Sequence, residues 1–296
     1  MTALSKSEFS TAARSGNTIW VAGCYDALSA KLAEEAGFPA IMTSGFAVSA
    51  SYLGVPDVEL YTMSENLTVV RNVANAVSIP MIADGDTGYG NAINVMRTVR
   101  EFEQAGVAAI IFEDQEAPKR CPAVATHIDI LPIDESAAKI EAAVQARRDP
   151  DTLIVARTDA LTEDAAIQRA QAYVSAGADL IQPISRCFTS FDGLRRLREA
   201  CDRPLSLQIL GWLETDLSRE QIEEVAGLAV YPLVTLMTAT EAMRQNLAAL
   251  MKDRSTAMLP QPVTSMGNFK KFIGFEEIEH LQSKFLVRRM GDVKYD

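Results

Sequence analysis

The chain has 296 residues, 48% of them apolar, which is enough for a large core. Its length suits an α/β barrel, usually about 250 residues long. The net charge of −11 argues against nucleic-acid or anionic-membrane binding, which need basic surface, but leaves room for a small anionic substrate held by a local cluster of cations.

No apolar run approaches the roughly 18 residues of a membrane span, and residues 1–16 lack the apolar core of a signal peptide. Cys24, Cys121, Cys187 and Cys201 form no C-x-x-C pair. A soluble cytoplasmic protein without a disulfide framework is expected. The only histidines are His127 and His280, so a three-histidine zinc centre is impossible. Any metal is expected on oxygen ligands, which favours magnesium or manganese.

In chain order, short runs rich in Val, Ile and Leu predict strands at 18–24, 40–43, 81–84, 109–113, 153–157, 180–182, 205–208 and 229–231. Helical patterns alternate with them at 26–36, 63–77, 92–105, 134–148, 163–176, 192–200, 218–226 and 235–252. Runs of that kind fit parallel strands buried on both faces. Ala36-Gly37, Ala105-Gly106, Ala176-Gly177 and Ala226-Gly227 each close a helical pattern before an apolar run, where glycine suits a left-handed helix C-terminus. The repeated joint implies βαβ units. Eight units point to a (β/α)8 TIM-type barrel over about 18–252, with a doubly wound open sheet as the alternative. A tail over about 253–296 follows, ending in a helical pattern at 275–287. Its Ile278, Leu281 and Phe285 need a surface to cover, on this barrel or on a neighbouring subunit.

Two connections are long, residues 44–61 and 114–132. Loops of that length in a compact domain are usually functional or disordered. The functional face of a parallel barrel lies where strands end. Those ends carry Ser44-Gly45, Asp84 and Asp86, Glu113-Asp114, Arg157 and Gln182. Asp84 and Asp86 converge if strand geometry persists past Asp84, and like charges held close call for a shared cation or proton. Taken alone, the pair also reads as a polar loop capping the next helix. The neighbouring Glu113 and Arg157 shift the reading toward magnesium, with Arg157 and the cation stabilising an enolate. Arg157 reads alternatively as a buried ion pair with Asp159 or Glu113. Ser44 and adjacent backbone amides suit a substrate carboxylate. Cys121 lies between Lys119-Arg120 and Pro122, where two cations favour a lowered thiol pKa; an ordinary loop thiol is the plain alternative. His127 reads as a solvated or locally bonded side chain.

The motifs in combination resemble the isocitrate lyase/phosphoenolpyruvate mutase superfamily along nearly the whole chain. They are Tyr25-Asp26-Ala27, Thr43-Ser44-Gly45, Leu53-Gly54-Val55-Pro56-Asp57, Ala83-Asp84-Gly85-Asp86-Thr87-Gly88-Tyr89-Gly90-Asn91, Phe112-Glu113-Asp114-Gln115, Pro118-Lys119-Arg120-Cys121, Ala156-Arg157-Thr158-Asp159-Ala160 and Tyr231-Pro232-Leu233. The resemblance implies a barrel that exchanges its C-terminal helix with a partner, usually within a homotetramer. It implies Mg2+ (or Mn2+) directly on Asp86, with Asp84 and Glu113 supporting it largely through water. It implies a 2-oxo acid or its enolate held by Ser44, the amides of Gly45 and Phe46, and Arg157, with Asp57 as an active-site aspartate. The loop around Cys121 is implied to be a mobile gate whose thiol protonates a leaving carbanion.

Lys119-Arg120-Cys121 agrees with the lyase pattern K-R-C-G-H, but Pro122-Ala123 replaces its last two residues. Gln182-Pro183 stands where lyases tend to have a glutamate, at a substrate-binding position, and Leu207-Gln208-Ile209-Leu210 where they have an asparagine-containing segment. The leading expectation is a carbon–carbon lyase for a 2-hydroxy di- or tricarboxylate such as 2-methylisocitrate or a dimethylmalate. Alternatives are an oxaloacetate decarboxylase or hydrolase, a phosphonomutase of the carboxyphosphonoenolpyruvate type, and a metabolite-binding protein with little catalysis.

Overall fold

In the structure, a computed structural model that describes residues 3–121 and 124–286 with Ser185 described by its backbone alone, the eight apolar runs are eight strands. They are β1 Ile19–Cys24, β2 Ala40–Thr43, β3 Met81–Asp84, β4 Ala109–Glu113, β5 Leu153–Thr158, β6 Leu180–Pro183, β7 Leu205–Gln208 and β8 Ala226–Tyr231. Every neighbouring pair is parallel and β8 returns to β1, so the sheet is a closed (β/α)8 barrel rather than an open one. Nearly all strand residues are buried, as a sheet covered on both faces requires.

The joint between helix and strand is left-handed at Gly37, Gly106 and Gly177, with φ of 90°, 97° and 101°. The fourth, Ala226-Gly227, is different and corrects the sequence reading. The helix Arg219–Val225 runs straight into β8, so Gly227 is a strand residue. Its lack of a side chain serves close approach, since a Cβ there would lie 2.2 Å from the Ala13 carbonyl oxygen.

Ala13 belongs to a helix not foreseen from sequence, Lys6–Ser15, opened by a Ser5–Glu8 capping box. It lies across the N-terminal ends of the strands. Lys6 donates to Thr152 Oγ1 at 2.7 Å and Arg14 to Asp179 Oδ1 at 2.9 Å, just before β5 and β6. Phe9 and Ala13 are wholly buried and join the core with Val21, Met42, Ile82, Ile111 and Val155. One end of the barrel is therefore closed.

The chain forms two compact units, Met1–Thr238 and Ala239–Asp296, with the boundary inside the helix Val234–Asp253. The first holds the whole barrel. In the second, Gln261 N–H donates to Asn246 Oδ1 at 2.9 Å and Asn246 Nδ2 to the Gln261 carbonyl at 3.1 Å, folding the chain back along the helix. Neither Met266–Ile273 nor Phe275–Phe285 buries a residue. The expected final helix ends at Phe285, and Val287 lies outside the described residues. Among the described residues no helix is long and apolar enough to cross a membrane.

Candidate active site

Strand register puts the charged strand ends in one row. Glu113 pairs with Arg157 across β4 and β5, and Arg157 with Gln182 across β5 and β6. On the other side, Gly85 N–H donates to the Ile111 carbonyl at 2.8 Å and Glu113 N–H to the Asp86 carbonyl at 2.9 Å, which brings Asp86 level with Glu113. Asp84 and Asp86 do not converge by strand alternation as expected. The strand stops at Asp84, and Asp86 is left-handed with φ of 48°, a conformation that aspartate tolerates better than most residues. The turn is held by Asp86 N–H donating to Asp84 Oδ1 at 3.1 Å.

The acidic pocket holds a cation of the protein's own. Lys119 Nζ lies 2.5 Å from Asp86 Oδ1 and 3.0 Å from both oxygens of Asp57. Burial alone would lower the Lys119 pKa, but Asp86, Glu113, Asp57 and Asp84 reverse this and keep it charged. Burial also pushes Asp84 up to about 6, aided by the Asp86 charge and opposed by Lys119. It pushes Glu113 up to about 8 against the lowering by Arg157. It raises Asp57, which Lys119 partly offsets.

Among the described residues no three Asp, Glu, His or Cys side chains close on one point as an ion cage. The donors nonetheless suit an ion of the magnesium type, which is usually held by one or two carboxylates and water. A Cβ on Gly45 would meet Asp84 Oδ2 at 2.8 Å and Asp86 Oδ1 at 3.2 Å, so a small cradle lies between those two oxygens. Glu113 Oε1 is buried without a hydrogen-bond partner.

Ser44 caps the short helix Gly45–Val48 without a side-chain capping bond, so its hydroxyl is not spent on the helix. The Gly45 amide, expected to hold a substrate carboxylate, instead donates to Asp84 Oδ2 at 2.9 Å. The Phe46 amide, at the second helical position, has no acceptor within the helix.

Arg157 makes both of its alternative ion pairs, to Glu113 Oε2 at 2.7 Å and Asp159 Oδ1 at 2.9 Å. Its buried Nε has no acceptor. Gln182 Oε1 accepts from Ser206 Oγ and Gln208 Nε2, each at 3.0 Å. That fixes the amide's orientation and points its NH2 away from both donors.

The long loop after β4 has a stem. Glu116 N–H donates to the Asp129 carbonyl and Leu131 N–H to the Asp114 carbonyl, both at 2.9 Å. Glu59 fastens its middle, accepting from Lys119 N–H at 3.1 Å and from the Thr87 hydroxyl. Cys121 is buried there and its carbonyl accepts from Ala125 N–H at 2.9 Å. The cations expected to activate the thiol point elsewhere. Lys119 faces the carboxylates, and Arg120 Nε lies 3.5 Å from Asp129 Oδ2. Pro122 and Ala123 lie outside the described residues. His127 is exposed and bonds Asp129 at 2.7 Å, the local role expected of it. Sequence reasoning missed Tyr61, Asn66 and Glu59, which reach the site across 18 to 60 residues of chain and carry no local motif.

A profile of the family described as phosphoenolpyruvate phosphomutase matches residues 9–254. The chain is 38% identical over 272 residues to 2,3-dimethylmalate lyase of Eubacterium barkeri, covering 90% of this chain and 93% of that one. It is 32% identical over 276 residues to 2-methylisocitrate lyase of Shewanella oneidensis, covering 92% and 94%. The solved structure of a phosphonopyruvate hydrolase with oxalate and Mg2+ superposes with a TM-score of 0.85 at 33% identity, covering 96% of this chain and all of that one. Strand-end acids, closed barrel and sequence likeness agree: the chain belongs to the phosphoenolpyruvate mutase/isocitrate lyase superfamily.

Proposed function

We propose that this protein is a divalent-cation-dependent carbon–carbon lyase that splits a 2-hydroxy dicarboxylate or tricarboxylate of the dimethylmalate or 2-methylisocitrate type. The observation that carries this reading is the position of the gate segment. Lys119, two residues from Cys121, is seated on Asp57 and Asp86, which ties the segment that carries the lyase-pattern thiol to the acidic strand ends. The similarity to two lyases supports the same class.

Mg2+ or Mn2+ held by Asp86, with Asp84 and Glu113 in support, would supply Lewis-acid stabilisation of the oxygen charge that develops on the 2-oxo product. The protein's own groups do the rest. Ser44 and the Phe46 amide bind the carboxylate of the half that becomes the 2-oxo acid. Arg157, released by substrate from part of its ion pairing, places its guanidinium on the reacting oxygens, and Gln182 offers its amide to the departing half. The hydroxyl proton leaves to a base, the carbon–carbon bond breaks, and the electron pair stays on the departing carbon. Cys121 gives that carbon its proton, so a hydroxydiacid yields one 2-oxo acid and one saturated acid.

The test is pyruvate release with Mg2+ across 2,3-dimethylmalate, 2-methylisocitrate, oxaloacetate and phosphonopyruvate, with oxalate read separately. Cleavage of either hydroxy acid is expected, and Cys121→Ser should cut that turnover by about 10²-fold or more while leaving metal binding in place. Unchanged turnover removes the role of that thiol. A second reading, an oxaloacetate decarboxylase or hydrolase, is favoured by the uncharged Gln182–Ser206–Gln208 group where lyases tend to carry a glutamate. Product from oxaloacetate alone selects it.

We also propose that the working form is a homotetramer built from dimers that exchange C-terminal helices. The helices Met266–Ile273 and Phe275–Phe285 bury nothing and leave Phe269, Ile273, Ile278 and Leu281 exposed. The barrel has an apolar groove lined by Ala22, Leu32, Ala33, Phe38 and Tyr231. Native mass spectrometry counts the copies, and a monomer defeats this reading.

A further inference from the structure

Asp86 takes its hydroxyl hydrogen bonds on one oxygen only, while the other meets the Lys119 ammonium. Tyr61 Oη donates to Asp86 Oδ2 at 2.5 Å and Tyr89 Oη to the same oxygen at 3.0 Å. Tyr61 is almost wholly buried, in the connection after β2; Tyr89 is half-buried, three residues beyond Asp86. Asn66 settles where the Tyr89 proton goes. Its Nδ2 donates to Tyr89 Oη at 2.7 Å and to the Asp84 carbonyl at 2.9 Å. A phenol has a single proton, and with Asn66 donating into its oxygen that proton is directed at Asp86. Two O–H donors therefore occupy Oδ2, while Oδ1 faces the Lys119 ammonium and the cradle beside Gly45.

This asymmetry bears on ion choice. Mg2+ takes six ligands in near-ideal octahedral geometry and binds a carboxylate through one oxygen, whereas Ca2+ accepts six to eight ligands and often takes both carboxylate oxygens. We propose that Tyr61 and Tyr89 are positioning residues that present Asp86 as a one-oxygen ligand, and so set the site's preference for Mg2+ over Ca2+. The inference rests on the reading that a divalent cation binds at Asp86.

The experiment measures binding on the whole folded chain, independent of substrate and turnover. Mn2+ is titrated by electron paramagnetic resonance and displaced by Mg2+ or by Ca2+, in the natural protein and in Asp86→Asn, Tyr61→Phe and Tyr89→Phe. Tyr173→Phe is the control, because its buried hydroxyl donates to Asp114 Oδ2 at 2.7 Å, outside the cradle. Tyr61→Phe and Tyr89→Phe should each weaken Mg2+ binding roughly 10–100-fold, the scale for a lost partner of a ligand. Ca2+ should be weakened far less, so the Mg2+/Ca2+ ratio falls about tenfold or more, and Tyr173→Phe should leave it unchanged. If the natural protein binds Mn2+ through Asp86 and neither phenylalanine variant moves the ratio by more than about twofold, the inference is overturned and the metal reading stands. If the natural protein does not bind, or Asp86→Asn does not matter, the metal reading itself fails and takes the inference with it. Should Tyr61→Phe fold poorly, the half-buried Tyr89→Phe carries the same comparison.

Discussion

Gly45 is a residue at which the site has little room. A methyl group there would press on Asp84 Oδ2 and Tyr61 Oη at 2.8 Å and on Asp86 Oδ1 at 3.2 Å. The backbone at Gly45 is ordinary helix, so the demand is for space and not for a special φ. Gly45→Ala should therefore fold yet lose divalent-cation affinity by at least about tenfold, the loss expected when ligands are displaced. A Mn2+ titration that matches the natural protein would refute this. The carboxylates add a pH dependence with a definite sign. Glu113 rises from its ordinary 4.5 to about 8 and Asp84 from 3.8 to about 6, both because burial disfavours their charge. In the metal-free protein these two groups contribute stability that is full below their unfolded pKa values and is lost as pH rises through about 6 and about 8. Cation binding runs the other way, since carboxylate ligands must shed their protons. Mn2+ affinity should climb between about pH 6 and 8 while the melting temperature of the metal-free chain falls, and a flat affinity profile would show carboxylates already ionised. Asp84, Asp86, Glu113 and Arg157 were legible in sequence because strand ends in a barrel converge wherever their helices go. The Gly45 amide bond to Asp84 and the direction of Lys119 were not, because each depends on a partner 39 or 33 residues away.

At the scale of elements, periodicity found every strand and the long helices around the barrel but neither the helix Lys6–Ser15 nor Met266–Ile273. The segment Lys6–Ser15 is polar except for Phe9 and two alanines, so it shows no broad apolar face. Its value lies in where two of those side chains go. Phe9 and Ala13 fill the lower end of the barrel, and Gly227 lets the helix backbone come close. Phe9→Ala should cost about 3–5 kcal/mol, the usual loss for emptying a buried aromatic position. Thermal unfolding should report it as a lower midpoint. Because this helix lies at the strand starts and the acids at the strand ends, the folded fraction should keep its Mn2+ affinity. A variant that melted normally would show that the lower end repacks. The loops were legible only as long loops. Residues 44–61 turn out to hold a short helix and the π-helical turn Ser49–Leu53, and residues 114–132 a bridged stem between Gln115 and Ile130. Those stem bonds join residues about fifteen apart with no hairpin signal between them, so propensity rules had nothing to act on.

For the whole molecule, the sequence left open whether the tail covers its own barrel or a neighbour's. Ile278, Leu281 and Phe285 recur at spacings of three and four along Phe275–Phe285, so they lie on one helix face, and all three are exposed. A lone apolar side chain on a surface needs no explanation, but a continuous stripe signals a partner. The two coverings separate under one substitution. If the stripe seats on another copy, Leu281→Asp buries a charge in that interface. Native mass spectrometry should then show fewer copies than the natural chain, with the barrel's own melting unchanged. If the stripe seats on its own barrel, the natural chain is a monomer, the variant is one too, and the penalty appears as a lower melting temperature. The first outcome fits a chain whose net charge of −11 opposes chance association, so that copies meet only where an apolar stripe finds a matching groove.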